Sequence, residues 1–463
     1  MATLQFLGAT GTVTGSKYLL TTDSERALVD CGLFQGLKEL RRRNWDPFPA
    51  DPESIHRVLL THAHIDHVGY LPKLRKGGFS GEIWGTTPTT EICRLVLPDS
   101  GHLQEEEAKF ANKKGYSKHS PALPLYTEKE AQEVLPLLKP VEYEKEYVLA
   151  EGVTCRYRDA GHILGSSTIL ISLKNQSPPI TILFSGDLGR YGAPILRDPA
   201  SVPEADYILL ESTYGNRAHG TEDREEALAS IIAETVKRGG TIVIPAFAVG
   251  RTQDLLYDLR ILEDSRRIPI LPVYMDRPMA TSASEILARH PEYYDEEATA
   301  LNNKGRNHIW PSNLHWCSTQ QESKAVNQVT SPCVIIAASG MATGGRVLHH
   351  LKHRMTDPKN TLLFVGFQAQ GTRGRLMLEG AKKIKIHGEE VPVKAQIQKI
   401  DSFSAHADYK EILRWVGGFT RPPKKAFIVH GEPEASQALA EKLRESVGWK
   451  CHIPAYLEAV LLE

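Results

Sequence analysis

The segment that most constrains this chain is a cluster of polar residues directly after an apolar run. Val58-Leu59-Leu60 has the composition of a buried strand, and Thr61-His62-Ala63-His64-Ile65-Asp66-His67 follows it. A strand that ends in a loop can turn the imidazoles of His62 and His64 toward one point. Asp66 and His67, just before the next predicted helix, then face a neighbouring point. Neutral imidazole and carboxylate are ligands that zinc takes in proteins, so the spacing predicts the beginning of two metal sites.

Three further polar motifs follow predicted strands in the same part of the chain. They are Leu28-Val29-Asp30-Cys31-Gly32, Ala160-Gly161-His162-Ile163-Leu164-Gly165-Ser166 and Phe184-Ser185-Gly186-Asp187-Leu188-Gly189. Taken alone, Asp30 is equally well explained as a turn residue. The alternative for the cluster at 61–67 is a polar loop that happens to be rich in histidine. Because three histidines with an interleaved aspartate rarely follow a buried strand by chance, we favour metal ligands.

These motifs resemble those of the metallo-β-lactamase superfamily, whose signature is H-x-H-x-D-H. Later in the chain, three segments look like motifs A, B and C of its β-CASP group. In that order they are Leu209-Leu210-Glu211-Ser212-Thr213-Tyr214-Gly215, Asp401-Ser402-Phe403-Ser404-Ala405-His406-Ala407-Asp408 and Phe427-Ile428-Val429-His430-Gly431-Glu432. The resemblance covers nearly the whole chain and is close to the cleavage-and-polyadenylation endonuclease subunit and its compact prokaryotic relatives. It implies an α/β fold, an αββα metallo-β-lactamase sandwich with an inserted parallel α/β β-CASP domain.

The resemblance also implies a role for each matching position. We expect two Zn²⁺ per chain, with one residue spanning both ions. The expected metal ligands are His62, His64 and His162 at one zinc, Asp66, His67 and His430 at the other, and the bridging Asp187. The expected catalytic and supporting residues are Asp66, Glu211, His406 and Asp30, the last of which holds the ligand loop as a hydrogen-bond acceptor.

The length of 463 residues is too great for one ordinary core and predicts two domains. Up to about residue 210, short strands alternate with glycine-rich turns, and after Glu211 the pattern changes to the alternating helices and strands of a parallel α/β domain. We therefore expect the metallo-β-lactamase domain at 1–211, the inserted β-CASP domain at 212–393, and the remainder of the first domain at 394–463.

Composition limits the class of protein and its surroundings. A hydrophobic content of 41% and a charged content of 24% are those of a globular protein, and a formal charge of −1 gives no overall attraction to polyanions. The six cysteines are scattered, with no C-x-x-C pair, which favours a reducing cytoplasm. No stretch approaches the length that spans a bilayer, so we expect a cytoplasmic protein without a membrane partner.

Three loops of the middle region combine glycine with arginine after predicted strands. They are Ala246–Arg251, Ser339–Arg346 and Gln370–Arg375. Glycines let backbone N–H groups approach an anion, and arginines add paired hydrogen bonds to phosphate. The alternative is that the glycines make turns and the arginines are surface charge. The expected substrate-binding residues are Arg251, Ser339, Gly340, Arg346, Thr372, Arg373, Arg375 and Ser404.

The inserted region and the three later motifs favour a nuclease over a lactamase or thioesterase. Histidine at position 430, where DNA-directed members of the group usually have valine, favours RNA. We expect a ribonuclease that acts on single-stranded RNA through a water activated between two zinc ions and leaves 5′-phosphate and 3′-hydroxyl ends. Endonuclease action is expected, with 5′ to 3′ exonuclease action also open. The alternatives are a non-catalytic RNA-binding scaffold and a hydrolase of a small ester or thioester.

Some features stay open or receive no role. The first predicted strand begins within a few residues of Met1, and no long tail follows the last one at 454–462, so we expect a stand-alone prokaryotic enzyme, with a homodimer left open. His387-Gly388-Glu389 repeats a tripeptide of motif C, but no strand-to-helix junction surrounds it, and we interpret His387 as a surface residue. The basic run Lys38–Arg43, followed by Asn44 and Trp45, could follow a nucleic-acid backbone, but a solvated loop is the more usual explanation.

Overall fold

The structure is a computed structural model that describes residues 2–115, 119–220, 223–303 and 310–463. The chain divides into two compact units. The first comprises Met1–Ala218 and His406–Glu463, and the second His219–Ala405. No helix in the described part of the chain is long and apolar enough to cross a membrane.

Two seven-stranded mixed sheets form the first unit. The first has the order β22-β1-β2-β3-β4-β5-β6, and the second β21-β20-β11-β10-β9-β8-β7. The strands of the first sheet are β1 (Ala2–Phe6), β2 (Tyr18–Thr21), β3 (Arg26–Val29), β4 (Arg57–Leu59), β5 (Glu82–Thr86), β6 (Leu138–Val141) and β22 (Ala459–Leu462). Those of the second are β7 (Glu146–Ala150), β8 (Val153–Asp159), β9 (Ser167–Leu173), β10 (Ile180–Phe184), β11 (Tyr207–Glu211), β20 (Lys425–Val429) and β21 (Cys451–His452).

The core of this unit lies between the two sheets. Apolar side chains of both sheets pack there, among them Phe6, Phe184 and Phe427. The helices of the unit are α1 (Lys38–Arg43), α2 (Ile65–Val68), α3 (Leu71–Lys76), α4 (Thr87–Lys114), α5 (Glu128–Gln132), α13 (Tyr409–Val416) and α14 (Pro433–Val447). A second cluster packs α13 and α14 against the outer face of the second sheet, and α4 lies against β5 and β6. The layers are those of an αββα sandwich.

A six-stranded parallel sheet forms the centre of the second unit. Its order is β14-β13-β15-β12-β16-β19. The strands are β12 (Ile242–Pro245), β13 (Val273–Asp276), β14 (Leu314–Trp316), β15 (Val334–Ala337), β16 (Thr361–Phe364) and β19 (Gln396–Lys399), and a separate hairpin pairs β17 (Lys383–Ile386) with β18 (Glu389–Pro392). The helices are α6 (Arg224–Lys237), α7 (Arg251–Asp264), α8 (Pro278–Arg289), α9 (Glu296–Asn302), α10 (Gln320–Val326), α11 (Val347–Arg354) and α12 (Arg373–Leu378). Separate apolar clusters cover the two faces of the sheet, as expected for parallel strands.

The boundaries of the second unit differ from the expected 212 and 394. Motif A stays in the first unit because Ser212 donates a hydrogen bond to the carbonyl of Val429 (2.8 Å). At the other end, β19 is the edge strand of the parallel sheet and pairs with β16. The chain therefore returns to the first unit only at His406.

Two local predictions also need correction. The sequence pattern at 87–97 predicts a short helix, and the structure has there the beginning of the much longer α4, which continues through Pro98. The predicted loop at 38–43 is the helix α1. His102 is an exposed residue of α4. His387, predicted as a surface residue, is half-buried in the turn between β17 and β18, where its ring stacks on that of His349.

Candidate metal centre

The topology of the second sheet brings the polar motifs together. β8, β10, β11 and β20 all run in the same direction, so their carboxyl ends lie along one edge. His162, Asp187, Glu211 and His430 lie at or just beyond these four ends. The loop after β4 and the helix α2 carry the remaining motif, residues 61–67. The side chains of this motif contact those at the edge of the second sheet. Residues that are far apart in the chain therefore converge.

Four side chains form the first donor set. His64 Nδ1 lies 3.0 Å from His62 Nε2 and 3.3 Å from His162 Nε2. Asp187 Oδ2 lies 3.4 Å from His62 Nε2 and 3.7 Å from His162 Nε2. These atoms all face a common point. The structure thus brings together the three histidines and the aspartate expected at one metal.

A second donor set lies on the other side of Asp187. His67 Nε2 and His430 Nε2 are 3.2 Å apart, and Asp66 Oδ2 is 3.6 Å from His430 Nε2. Asp187 Oδ1 is 3.3 Å from His67 Nε2 and 3.4 Å from His430 Nδ1. One carboxylate therefore turns a different oxygen toward each donor set.

The donors fit metal ions in chemistry and in spacing. Tetrahedral ligands about 2.0–2.1 Å from zinc are about 3.3 Å from one another, which matches the separations in both sets. Asp187 Oδ1 is buried and, within the described residues, accepts no hydrogen bond of good geometry. An unsatisfied buried carboxylate oxygen among imidazole nitrogens is costly unless a cation is present. The cluster is therefore suited to bind metal.

Electrostatics keep His62, His64 and Asp187 in forms that can ligate. Burial opposes protonation of His67, but the carboxylates of Asp187 and Asp30 outweigh it and raise the pKa of His67. Burial, together with the neighbouring His67, lowers the pKa of His62 well below its usual range, and burial lowers the pKa of His64 to about 4. Burial alone would raise the pKa of the Asp187 carboxyl. The neighbouring imidazoles, chiefly those of His430 and His67, outweigh burial and lower this pKa. Neutral imidazole and ionised carboxylate are the forms that hold a lone pair for a metal.

Asp30 holds the ligand loop, as expected from its motif. Its Oδ1 accepts the backbone N–H of Thr61 (2.8 Å), and its Oδ2 accepts the Thr61 hydroxyl (2.8 Å) and lies 2.8 Å from His67 Nδ1. The carboxylate can accept from Nδ1 only if the proton is there, which leaves Nε2 of His67 with a lone pair facing the second donor set. Asp30 is 1% exposed, so water does not compete for these bonds.

His406 lies beside the first donor set and is oriented by Glu211. Its Nδ1 is 3.2 Å from Glu211 Oε1, and its ring centroid is 4.5 Å from that of His162. Glu211 is fully buried and also accepts the backbone N–H groups of Leu188 and Thr213 (2.8 and 3.2 Å). Burial opposes protonation of His406, but the carboxylates of Glu211 and Asp187 outweigh it and raise the pKa of His406.

Two threonines that the sequence did not single out contact histidines of the donor sets. Thr61 has its hydroxyl 3.1 Å from His62 Nδ1, and Thr213 has its hydroxyl 3.1 Å from His430 Nδ1. Each hydroxyl contacts Nδ1 of an imidazole that belongs to a donor set, and Nε2 of the same ring is directed at that set. Their signal was position: Thr61 directly precedes the first ligand, and Thr213 lies within motif A.

The three glycine-rich loops meet in the second unit. β15, β12 and β16 are neighbours, so the loops that follow them share one edge of the sheet. The carbonyl of Gly340 accepts a hydrogen bond from Gln368 Nε2 (3.0 Å), and a Cβ at Gly340 would lie 2.7 Å from the ring of Phe247. Ser339 Oγ accepts the N–H of Thr343 (3.0 Å). Each loop thus contacts another, and only glycine fits at position 340.

The arginines of these loops have partners within the protein. Arg346 donates to Asp276 Oδ1 (2.7 Å) and to the carbonyl of Cys317 (2.9 Å). Arg373 donates to the carbonyls of Lys385 and Thr343 (2.8 and 2.9 Å). These bonds order the loops.

The other expected substrate residues also have structural contacts. Arg251 Nη1 donates to Asp254 (3.2 Å), and Arg375 Nε donates to Glu379 (2.6 Å). Thr372 caps α12 by accepting the backbone N–H of Arg375 (3.3 Å). Ser404 is 4% exposed.

Comparison with known proteins agrees with this geometry. The model of the metallo-β-lactamase superfamily matches residues 10–244, that of the β-CASP domain 252–377, and that of the Zn-dependent metallo-hydrolase RNA specificity domain 390–454. The fold and the two donor sets define a metallo-hydrolase. The chain belongs to the metallo-β-lactamase superfamily, in its β-CASP group.

Several curated relatives match over nearly the whole chain. A ribonuclease of Thermus thermophilus is 38% identical over 437 residues, which is 94% of each chain. The transcription termination factor FttA of Methanosarcina mazei is 34% identical over 98% of this chain and 71% of its own. An RNase J-like protein of Methanocaldococcus jannaschii is 28% identical over 98% of both chains. A crystal structure of an Enterococcus faecalis protein of unknown function, 12% identical, covers 100% of both chains with a TM-score of 0.51 and supports the fold alone.

Proposed function

We propose that the protein is a ribonuclease that hydrolyses phosphodiester bonds of single-stranded RNA and holds two zinc ions. The observation that carries the proposal is the pair of buried donor sets that share Asp187, with His406 beside them. Relatives over the full length of the chain are named ribonucleases, which supports RNA as the substrate class. All six cysteines are free thiols, which favours a reducing cytoplasm.

The proposed ligands follow from the two sets. His62, His64 and His162 would hold one zinc, and Asp66, His67 and His430 the other, with Asp187 between them. When bound, two zinc ions would lower the pKa of water and neutralise charge on a phosphoryl group. Every other contribution comes from residues of the chain itself.

Two groups of the protein are placed to move protons. Asp66, whose carboxyl is 22% exposed, can accept the proton of the attacking water. His406 receives the carboxylate of Glu211 at Nδ1, which fixes the ring and favours the imidazolium that can donate a proton. Asp187 Oδ2, 3.8 Å from His406 Nδ1, adds to this preference.

The reaction then follows from these positions. The water oxygen forms a bond to phosphorus, the bond from phosphorus to the 3′-oxygen breaks, and His406 gives its proton to that leaving oxygen. The products are a 5′-phosphate and a 3′-hydroxyl. We expect the glycine-rich loops of the second unit to contact further phosphates of the RNA.

Cleavage of one RNA, labelled in turn at each end, tests the proposal. We compare the wild type with His406→Ala and with the control His102→Ala, and measure the zinc content of all three. His102 lies on the exposed face of α4. Loss of a general acid lowers kcat by about 10²–10⁴-fold, so His406→Ala should lose cleavage and keep its zinc, whereas the control should match the wild type. Fragments from the interior of the RNA indicate an endonuclease, and stepwise loss from the 5′ end an exonuclease.

Other outcomes favour the two alternatives. A zinc-loaded wild type that binds RNA but leaves it intact is a scaffold. Turnover of a small ester or thioester without any RNA cleavage makes the protein a hydrolase of small molecules. Equal cleavage by wild type and His406→Ala removes His406 from the mechanism.

A further inference from the structure

One face of the short helix α1 combines positive charge with an aromatic ring. Lys38, Arg41, Arg42 and Trp45 are spaced i, i+3, i+4 and i+7, which places them on the same side of a helix. The helical turn extends to Trp45, whose N–H donates to the carbonyl of Arg42 (2.8 Å). The sequence suggested a solvated loop here, and the helix is what aligns the four side chains.

The face is exposed, and one acidic residue, Glu39, accompanies the cations on α1. α1 has no buried residue, and Trp45 is 54% exposed. Across the described ranges, Lys38, Arg41 and Arg42 take part in none of the ion pairs of the structure. Three neighbouring cations next to an exposed indole thus form a local positive patch in a chain of formal charge −1.

The helix is firmly held despite its exposure. The amide of Asn44, which is 7% exposed, bonds both the N–H and the carbonyl of Phe34 (2.9 and 2.8 Å). On the side of the helix away from this face, the guanidinium of Arg43 lies 4.1 Å from the ring centroid of Tyr456. Because the C-terminal end of α1 is anchored, the cationic face needs less ordering when a ligand binds.

The same segment is bonded to the helix that carries two proposed metal ligands. Cys31 N donates to the carbonyl of His67 (2.6 Å), and Leu33 N donates to the carbonyl of Ile65 (3.0 Å). The loop from β3 to α1 therefore rests directly on α2. An RNA strand held on α1 would be held by the same rigid part of the unit as the metal centre.

We propose that Lys38, Arg41, Arg42 and Trp45 form a docking surface for single-stranded RNA outside the metal centre. This inference rests on the proposed ribonuclease function and assigns part of its substrate contact. The three cations suit successive phosphates, and an exposed indole suits stacking on an unpaired base. A membrane fits less well, because only Leu37 and Trp45 are large exposed apolar residues on this two-turn segment, and interfacial helices bury a longer apolar face.

Binding of a labelled single-stranded RNA to variants tests the surface, with His406→Ala in every protein to prevent cleavage. The triple change Lys38→Ala, Arg41→Ala, Arg42→Ala should weaken binding about tenfold or more and reduce the slope of log affinity against log salt by about 2, since each phosphate contact in a single strand contributes about 0.7. Trp45→Ala should weaken binding about tenfold, and Trp45→Phe should restore most of it, because a benzene ring still stacks.

A matched control separates local from general charge effects. The control variant combines Lys129→Ala, Lys139→Ala and Lys450→Ala. It removes as many positive charges as the α1 triple variant, from exposed positions of the same unit that are outside α1. This control should bind RNA as the parent does. Because α1 contributes nothing to the core, all variants should unfold at the temperature of the parent.

The outcomes distinguish this inference from the proposed function. Unchanged RNA affinity in the triple variant, or an equal loss in the control, overturns the docking surface even if the wild type cleaves RNA. If the wild type binds RNA through α1 but cleaves none, the docking surface stands and the ribonuclease proposal fails. If the α1 variants lose binding to anionic phosphatidylglycerol vesicles and not to RNA, the face is a membrane contact and the proposal is wrong.

Discussion

Replacement of Asp30 by Asn should separate metal binding from folding at the candidate centre. The two carboxylate oxygens accept from two different directions, Oδ1 from the N–H of Thr61 and Oδ2 from Nδ1 of His67. An amide of the same shape has one accepting oxygen and one donating nitrogen, so it can satisfy only one of these donors. The variant therefore has two possible orientations, each with its own cost.

In the first orientation the amide nitrogen faces His67. Nδ1 must then accept, the ring proton moves to Nε2, and His67 loses the lone pair that faces the second donor set. Loss of such a support for a ligand histidine typically lowers metal affinity 10- to 100-fold, which is about 1.4–2.7 kcal/mol. We expect the second zinc to dissociate first in a competition titration against a chelator, while the first donor set keeps its zinc.

In the second orientation the amide nitrogen faces the N–H of Thr61. A buried donor is then left unsatisfied, at a cost of about 1–3 kcal/mol in unfolding free energy. Chelator titration and calorimetric unfolding of the same samples therefore report the two orientations separately. The control is Asp206→Asn, because Asp206 also accepts the N–H and hydroxyl of a threonine, Thr181 (2.8 and 2.9 Å), at a position that the centre does not use.

The control should keep both zinc ions and lose stability alone. If Asp30→Asn binds two zinc ions with the affinity of the wild type and unfolds at the same temperature, the tautomer argument is refuted. If the control loses zinc to the same degree, the effect is one of general stability and not of His67.

Three further predictions concern packing and buried charge. A Cβ at Gly32 would lie 1.5 Å from the carbonyl oxygen of Asp66, so Gly32→Ala should displace α2, cost about 1–3 kcal/mol and lower the zinc content measured by atomic emission. His350 lies 2.6 Å from the buried Asp276, so His350→Ala should lower the unfolding free energy by about 3 kcal/mol, as checked by calorimetry, and His350→Gln should recover part of it. Burial raises the pKa of Asp258 to about 7, so its contribution to stability is fully present below about pH 4, the unfolded pKa, and is lost as the pH rises to about 7. Asp258→Asn should flatten that part of the profile of unfolding temperature against pH, and an unchanged profile would contradict the assignment.

Much of the metal centre could be predicted because its ligands follow strands. His62, His64, Asp66 and His67 lie within one short segment, so their convergence is set by local spacing. His162, Asp187 and His430 each come within three residues of the end of a strand, and parallel directions bring such ends to one edge. Resemblance to the superfamily then indicated which of these residues share a metal.

The hydrogen-bond partners of the loop arginines could not be predicted from the sequence. Arg346 and Arg373 have the local sequence of phosphate-binding residues, yet both donate to groups of the protein itself. Their acceptors are a carboxylate 70 residues earlier for Arg346 and a carbonyl 30 residues earlier for Arg373. A sequence pattern records that a guanidinium is present, but not whether its donors are already used.

The sequence by itself therefore determined a strand-rich region followed by an α/β region and the chemical identity of the donors, because strand periodicity and ligand spacing are local properties. The resemblance of its motifs to the superfamily implied the sandwich with its inserted domain. Only the tertiary structure decided which side chains contact one another at the centre. It paired His67 with His430 across 363 residues, gave Thr61 and Thr213 their ligand imidazoles, and set the domain boundaries through β19. It also turned the basic run at 38–43 into a helix with one cationic face. Each of these depends on contacts between distant segments, whose geometry exists only once the chain has folded.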